Sequence, residues 1–313
     1  MKYILILFFV FLFSFNVISC SSKDDDSSST STDSDGTTTD SCLSTSISSR
    51  QSVRSSNDYA YGVATDSSGN VYVAGGTNGG LDGNTNAGNT DLFVVKYNSS
   101  GTKQWTRQLG SSSRDSANGV ATDSSGNVYV TGMTNGGLDG CKNAGIEDLF
   151  VVKYNSSGTK QWTNQLGSSS RDSADDVATD SSGNIYVTGT TYSELDGNTS
   201  AGKADLFVVK YNSSGTHQWT KQLGTDRYDE ARGVATDSSG NVYVTGYTEG
   251  GLDGNTNLGK ADLFVVKYNS SGTKQWANQL GTWDTDFANG VATDSSGNVY
   301  VTGSTYRSLD GNT

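Results

Sequence analysis

The chain has 313 residues, 33% of them apolar, with 39 Gly and no Pro. So low an apolar share argues against one conventional hydrophobic core, while 16 Tyr and 10 Phe among many glycines point to short strands joined by tight turns. A formal net charge of −12 excludes a nucleic-acid partner, because phosphate binding needs clustered Lys and Arg; the acidity spread through the chain reads as solvated surface.

Met1, Lys2 and Tyr3 make a short basic start, and Ile4 to Ile18 is almost wholly apolar. That run is short of the roughly 20 residues a spanning helix needs, and fits the apolar region of a signal peptide over 1–19. It ends Val17-Ile18-Ser19-Cys20, which resembles the bacterial lipobox. The resemblance implies that Cys20 is lipidated and becomes the new N-terminus, tying the protein to a membrane. An ordinary cut near Ser19 and an uncleaved anchor are the alternatives. Ser21, where an Asp would retain such a lipoprotein at the inner membrane, implies an outer-membrane lipoprotein. Lys23-Asp24-Asp25-Asp26 resembles a surface-export tag, or is a solvated linker. Residues 20–48 are Ser, Thr and Asp with little to bury, and are expected to form a disordered tether. Cys42 within it and Cys141 are the two other cysteines, with no framework spacing that requires a disulfide between them.

The remainder repeats. Val-Ala-Thr-Asp-Ser-Ser-Gly-Asn begins at Val63, Val120, Val177, Val234 and Val291, each step being 57 residues. Asp-Leu-Phe-Val-Val-Lys-Tyr begins at Asp91, Asp148, Asp205 and Asp262 with the same step. A strict long period means a modular architecture. The repeats are 63–119, 120–176, 177–233 and 234–290, with a partial fifth at 291–313; residues 49–62 read as a degenerate strand leading into the first. Each repeat reads as four strands: A over Gly62–Asp66, B over Asn70–Gly75, C over Asp91–Tyr97 and D over Thr102–Leu109. Asp66-Ser67-Ser68-Gly69 and Asn98-Ser99-Ser100-Gly101 supply turn chemistry between A and B and between C and D. Four short antiparallel strands with a Trp and apolar residues on both sides suit a β-propeller blade, which buries both faces against its neighbours. A parallel β-solenoid is the rival, and hairpin turns argue against it.

Gly62-Val63-Ala64-Thr65-Asp66-Ser67-Ser68-Gly69-Asn70, then Asp91 to Tyr97, then Gly101-Thr102-Lys103-Gln104-Trp105, resembles the SBBP family of seven-bladed β-propeller repeats over about residues 50–313. The first part also resembles NHL repeats, and the Gly101-to-Trp105 spacing resembles the tryptophan-docking motif of quinoprotein-like propellers. The expected fold is therefore all-β: about four complete 57-residue blades and one partial, as an open ring or a strained five-bladed closure. Open blade edges favour self-association.

Comparing the chain with itself shows where a function would sit. The A–B and C–D turns hardly change, whereas the B–C and D–A loops differ and share one face of the disc. Tyr192, Arg227, Tyr228, Tyr247, Trp283 and Tyr306 on that face are candidate binding residues, because aromatics and Arg supply contact energy at low entropic cost; tolerant loops are the plainer account. Asp82, Asn84, Asn86 and Asp91 alternate oxygens with Gly in a manner that suggests calcium, or an Asx-closed loop. Lys96, Lys153, Lys210 and Lys267 read as structural charges paired with Asp66 and its copies, and Trp105, Trp162, Trp219 and Trp276 as blade packing. The Asn98-Ser99-Ser100 sequon reads as a turn. His217 replaces a strand D lysine. With no Ser-His-Asp set, metal cluster or unique carboxylate pair, and every acidic candidate repeated in each copy, catalysis finds no support and no cofactor is expected. The expectation is a non-enzymatic outer-membrane or cell-surface lipoprotein that binds a protein or glycan partner. The alternatives are a periplasm-facing scaffold that accepts a partner strand and a truncated remnant.

Overall fold

The computed structural model describes residues 56–309. The signal peptide, Cys20, the tether with Cys42, and Arg50-Gln51 of the degenerate strand lie outside the described residues. What is described is built from sheets that follow one another in chain order. Blade 1 is β1 (Asp58–Thr65), β2 (Val71–Thr77), β3 (Asp91–Tyr97) and β4 (Lys103–Leu109). Blade 2 is β5 (Asp115–Thr122), β6 (Val128–Thr134), β7 (Asp148–Tyr154) and β8 (Lys160–Leu166). Blade 3 is β9 (Asp172–Thr179), β10 (Ile185–Thr191), β11 (Asp205–Tyr211) and β12 (His217–Leu223). Blade 4 is β13 (Asp229–Thr236), β14 (Val242–Thr248), β15 (Asp262–Tyr268) and β16 (Lys274–Leu280). Blade 5 contributes β17 (Asp286–Thr293) and β18 (Val299–Thr305). Each sheet is an antiparallel meander in which sequence neighbours pair, so the four-stranded reading and the propeller class hold.

Strand A starts earlier than its consensus suggests. Asp58–Gly62 pairs with β2 and so belongs to blade 1, not to a worn strand before it. Its first half keeps an Asp and an Ala in every blade, as at Asp58 and Ala60, while the second and fourth positions differ.

The blades pack face to face. The Tyr72, Leu92 and Val94 side of blade 1 meets Val120, Val130, Phe150, Val152 and Tyr154 of blade 2 in one buried cluster. The same arrangement recurs between blades 2 and 3 and between blades 3 and 4. The core is thus a series of thin inter-blade layers, which is how so small an apolar share suffices. Trp105 lies tilted between Tyr72 and Tyr154, 6.0 and 6.5 Å away. Its edge meets Gly158 in the next blade's C–D turn, where an added Cβ would come within 2.9 Å of the indole and where φ is +79°. Gly is required there twice over, by the turn and by the tryptophan.

The strand C lysines differ from expectation. Lys96 Nζ donates to Ser156 O of the next blade at 3.1 Å and lies 5.2 Å from the Tyr72 ring centre; Lys153 and Lys210 repeat this on Ser213 and Ser270. The partner proposed for them, Asp66, is already taken up by Ser68 N, Asn70 N, Asn70 Nδ2 and Tyr72 Oη. Burial pushes the Asp66 carboxyl up, but these hydrogen bonds outweigh it and hold it below the ordinary carboxylate range.

Much of the repeated acidity is also internal rather than solvated. Asp91, Asp115, Asp148, Asp172, Asp205, Asp229, Asp262 and Asp286 are all buried. Asp115 accepts from Ser111 N at 2.6 Å and from the Thr134 hydroxyl, clamping the D–A loop to strand B. Such local donors oppose the desolvation of these carboxylates, although in Asp172, Asp229 and Asp262 burial prevails and pushes the carboxyl up.

Candidate functional site

Strand A of each blade packs beside strand A of the next, β1 on β5, β5 on β9, β9 on β13 and β13 on β17, so these strands form the inner edge of the arrangement. Each carries a β-bulge at one position. In blade 3, Asp176 faces Thr188 and Ala174 faces Gly189, leaving Asp175 unpaired between them. The same slip leaves out Tyr61, Asn118, Arg232 and Asn289. A bulge frees a side chain from the ladder and re-aims it. Here the residue is Tyr, Asn, Asp, Arg and Asn in successive blades.

These residues meet their neighbours. Asn118 Nδ2 donates to Ala174 O at 2.9 Å. Arg232 Nη1 donates to Asn289 Oδ1 at 2.9 Å, and Nη2 lies 3.9 Å from Glu230. Its guanidinium sits 4.8 Å from the Tyr247 ring centre and 4.7 Å from that of Phe287, the two rings being edge to face at 4.8 Å. Asp176 stands where the other blades have Gly, and its carboxylate accepts from Val177 N at 2.8 Å and from Val234 N of the next blade at 2.9 Å. Burial pushes Asp176 up to about 6 against those two amides. Burial, and then the charge of Glu230, push Asp175 up to about 7, with Asp176 and Glu147 adding to the rise and Arg232 opposing it. Burial also raises Glu147, against Arg114 and Arg171. The result is a rim of four carboxyls and three guanidiniums bordered by tyrosines.

The expected binding residues divide. Tyr192, 41% exposed, is raised by burial and by the charges of Glu230 and Glu147, so it belongs to the rim, as do Tyr228 beside it and Tyr247. Tyr192 N donates to Arg171 O at 3.0 Å, tying the B–C loop to the D–A loop of that blade. Trp283 forms a separate patch. It is 64% exposed and stacks on Arg307 at 4.4 Å, and Arg307 and Lys260 both pair with Asp284, at 3.5 and 2.9 Å. Tyr306 is exposed, and Arg227 is exposed with Asp226 4.0 Å from its guanidinium.

Asp175, Asp176, Glu230, Arg232, Glu147 and Phe287 were absent from the sequence reading. The statement that every acidic candidate recurs in each copy fails at Asp175-Asp176, which occurs once. The signal was available in strand A, by setting Asn118-Gly119, Asp175-Asp176, Arg232-Gly233 and Asn289-Gly290 under one another.

Each calcium candidate has partners within the protein. Asp82 pairs with Lys103 at 2.5 Å and accepts from Thr106; Asn84 Nδ2 donates to Leu81 O and Asn86 Nδ2 to Gly88 O; Asp91 Oδ2 accepts from Ala87 N and Gln108 Nε2. Asn84, Asn86 and Asp91 bond within their own loop or to strand D and Asp82 bonds to strand D, while Asn86 Oδ1 and Asp91 Oδ1 are buried without a hydrogen-bond partner. Asp82 and its copies adopt left-handed φ of 51–55° and receive strand D lysines; His217 takes that lysine's place, 3.2 Å from Asp196. Cys141 is half-buried, with its thiol pushed up by burial and by Asp139.

The chain is 28% identical over 227 residues to an uncharacterized WD repeat-containing protein of Acanthamoeba polyphaga mimivirus, covering 56% of this chain and 16% of that protein. It is 29% identical over 208 residues to the regulatory protein FlaEY of Caulobacter vibrioides, covering 60% of this chain and 22% of that protein. The chain therefore spans less than a quarter of the length of either relative. Among solved structures it is similar to a protein of unknown function from Bacteroides caccae, at 11% identity and a TM-score of 0.31 over 71% of this chain and 82% of that one. It is also similar to a gluconolactonase from Xanthomonas campestris, at 14% and 0.35 over 79% and 83%. The SBBP beta-propeller repeat matches at residues 48–82, 104–139, 161–196, 218–253 and 275–309, together more than half of the chain, which belongs to that family.

Proposed function

We propose that this protein is a non-enzymatic binding scaffold of the cell envelope, held to the outer membrane through Cys20, that takes a basic protein segment on its inner rim. One observation carries the reading: the bulged position of strand A, which the ladder leaves free, holds Tyr61, Asn118, Asp175, Arg232 and Asn289 in turn. Around it, Glu147, Asp175, Asp176 and Glu230 gather carboxyls beside Tyr192, Tyr228 and Tyr247. Carboxylates beside aromatic faces attract Lys and Arg side chains by charge and by cation–π contact.

The test is binding of the immobilised full chain to arrays of basic peptides, acidic peptides and glycans. Basic ligands are expected, weakened by salt, by Tyr192→Ala, and by acidification through about 7 as Asp175 takes up a proton. A ligand set that is glycan or acidic, or indifferent to Tyr192, overturns the rim reading. Protease shaving of intact cells tests the location separately: loss of the protein from unbroken cells favours a surface position, and protection until the outer membrane is opened favours the periplasmic scaffold.

A further inference from the structure

The B–C loop of blade 4 and the D–A loop that follows it carry a set of side chains that no other junction of blades has. Trp283 stands where the earlier junctions have Ser112, Ser169 and Asp226, and Leu258 where they have Ala87, Ala144 and Ala201. All six of those earlier residues are exposed, at junctions with a blade on either side, so the fold itself turns these places to solvent. Leu258 and Trp283 are 58% and 64% exposed. The two loops make one patch: Gly259 lies against the D–A loop, where a Cβ would stand 2.6 Å from the carbonyl carbon of Trp283.

One carboxylate holds two cations at this patch. Lys260 Nζ donates to Asp284 Oδ1 at 2.9 Å, and Arg307 Nε lies 3.5 Å from Asp284 Oδ2 while its guanidinium covers the indole. The place of Arg307 adjoins the D–A loop in other blades too, since a Cβ at Gly136 would stand 2.4 Å from Ser111 Oγ and one at Gly250 2.4 Å from Thr225 Oγ1. The hydrogen bond from Lys260, the largest of several causes, holds the Asp284 carboxyl below its ordinary value. Two cations against one carboxylate leave a positive surplus, in a chain whose net charge is −12. An ammonium and a guanidinium together carry more N–H donors than one carboxylate takes up, and both side chains are more exposed than buried.

The main chain here is already engaged. Lys260 N donates to Asp284 O at 3.0 Å and Asp286 N to Ala261 O at 2.8 Å on one side of the D–A loop, and Tyr306 N donates to Thr285 O at 3.2 Å on the other. An extended peptide therefore finds no strand edge to join. Recognition falls to a broad apolar ring and to cations fixed beside it. An indole presents a flat face suited to the C–H face of a sugar ring, and Lys and Arg donors suit a carboxylate or sulfate. We propose that Trp283, Lys260 and Arg307 form a binding site, separate from the rim, that takes an acidic saccharide with its ring on the indole and its acid group on the two cations.

The test is calorimetric titration of the full chain, in a detergent that disperses its apolar first residues. The probes are oligogalacturonate for carboxylates, a sulfated dextran oligomer for sulfates, neutral dextran and a poly-glutamate peptide. At least one acidic saccharide is expected to bind, more weakly as salt rises, with neutral dextran at least roughly tenfold weaker; the arm that binds names the acid group. Trp283→Ala and Lys260→Gln, both on exposed side chains, are each expected to weaken that binding by roughly tenfold with the urea midpoint unchanged. Tyr192→Ala is expected to leave it intact, whereas a rim ligand is lost with Tyr192 and kept by Trp283→Ala, so the two sites fail separately. Silence from both acidic saccharides, neutral dextran bound equally well, or poly-glutamate bound more tightly than either would overturn the proposal. So would a Trp283→Ala chain that binds as the parent does, or a Tyr192→Ala chain that weakens as much as Trp283→Ala.

Discussion

Replacing Asp175 by Asn separates a rim carboxyl that opposes folding from one that supports it. Burial and the charge of Glu230 push this group up to about 7, from an ordinary value of 3.8. A group whose folded value is raised binds its proton in the folded chain before the unfolded chain does. Between those two values stability therefore falls as pH rises, and above about 7 the full cost is present. Converted without screening, the difference is about 4 kcal/mol; Asp175 is only half-buried, and screening by solvent reduces this to about 1–2 kcal/mol. Asn keeps the shape without the charge. Asp175→Asn is expected to stabilise the protein by about 1–2 kcal/mol at pH 8 and by about a third as much at pH 5, where the folded carboxyl still holds its proton but the unfolded one is already ionised. Urea melts at the two pH values read this directly. Equal destabilisation at both would mean that Arg232 holds Asp175 as an ionised partner, and would refute the reasoning.

The scaffold supplies two more predictions. Gly167→Ala places a Cβ 2.0 Å from Asp148 Oδ1, displacing a buried carboxylate that holds Ala144 N and Gln165 Nε2, and should cost about 2–4 kcal/mol in a urea melt. Lys153→Met keeps the side-chain stem but loses the bond to Ser213 O and the position over Tyr129, and should cost about 1–3 kcal/mol by the same measurement.

What the sequence displayed, and what it hid, follows from whether a residue's partner is local. Strand C was legible to the residue, Asp91–Tyr97, because Asn98 closes its turn within four residues. The Asp66 turn was legible for the same reason. The lysine of strand C was not, since its acceptor is 60 positions further on in another blade, as Ser156 O is for Lys96. The buried aspartates looked like surface charge because their donors, such as Ser111 N and the Thr134 hydroxyl for Asp115, come together only when loops fold over strand ends. Least visible was the rim. A bulge is a one-residue slip in pairing, and nothing in Ala174-Asp175-Asp176-Val177 announces which residue is left out of the ladder.

That slip also explains how a repeat so uniform can hold a site that is not. A residue inside the ladder must suit its partners on both faces, and in blades packed on two sides the choice is narrow: Phe150, Phe207 and Phe264 are the same residue in the same environment, all fully buried. The bulged residue has no cross-strand partner, and Tyr, Asn, Asp and Arg all occupy it with the flanking register intact. The next position is more constrained. A Cβ at Gly119 would stand 3.0 Å from the Asp176 backbone of the following blade, and one at Gly233 would stand 3.2 Å from that of Gly290. Asp176 departs from Gly there and carries its own compensation, a carboxylate bonded to Val234 N across the interface. Difference between the blades is therefore tolerated where the ladder is silent, and also at the paired second position of strand A and its partner in strand B, as in Ser116–Met133 and Glu230–Tyr247. The inner rim is where this scaffold can change what it binds without changing how it folds.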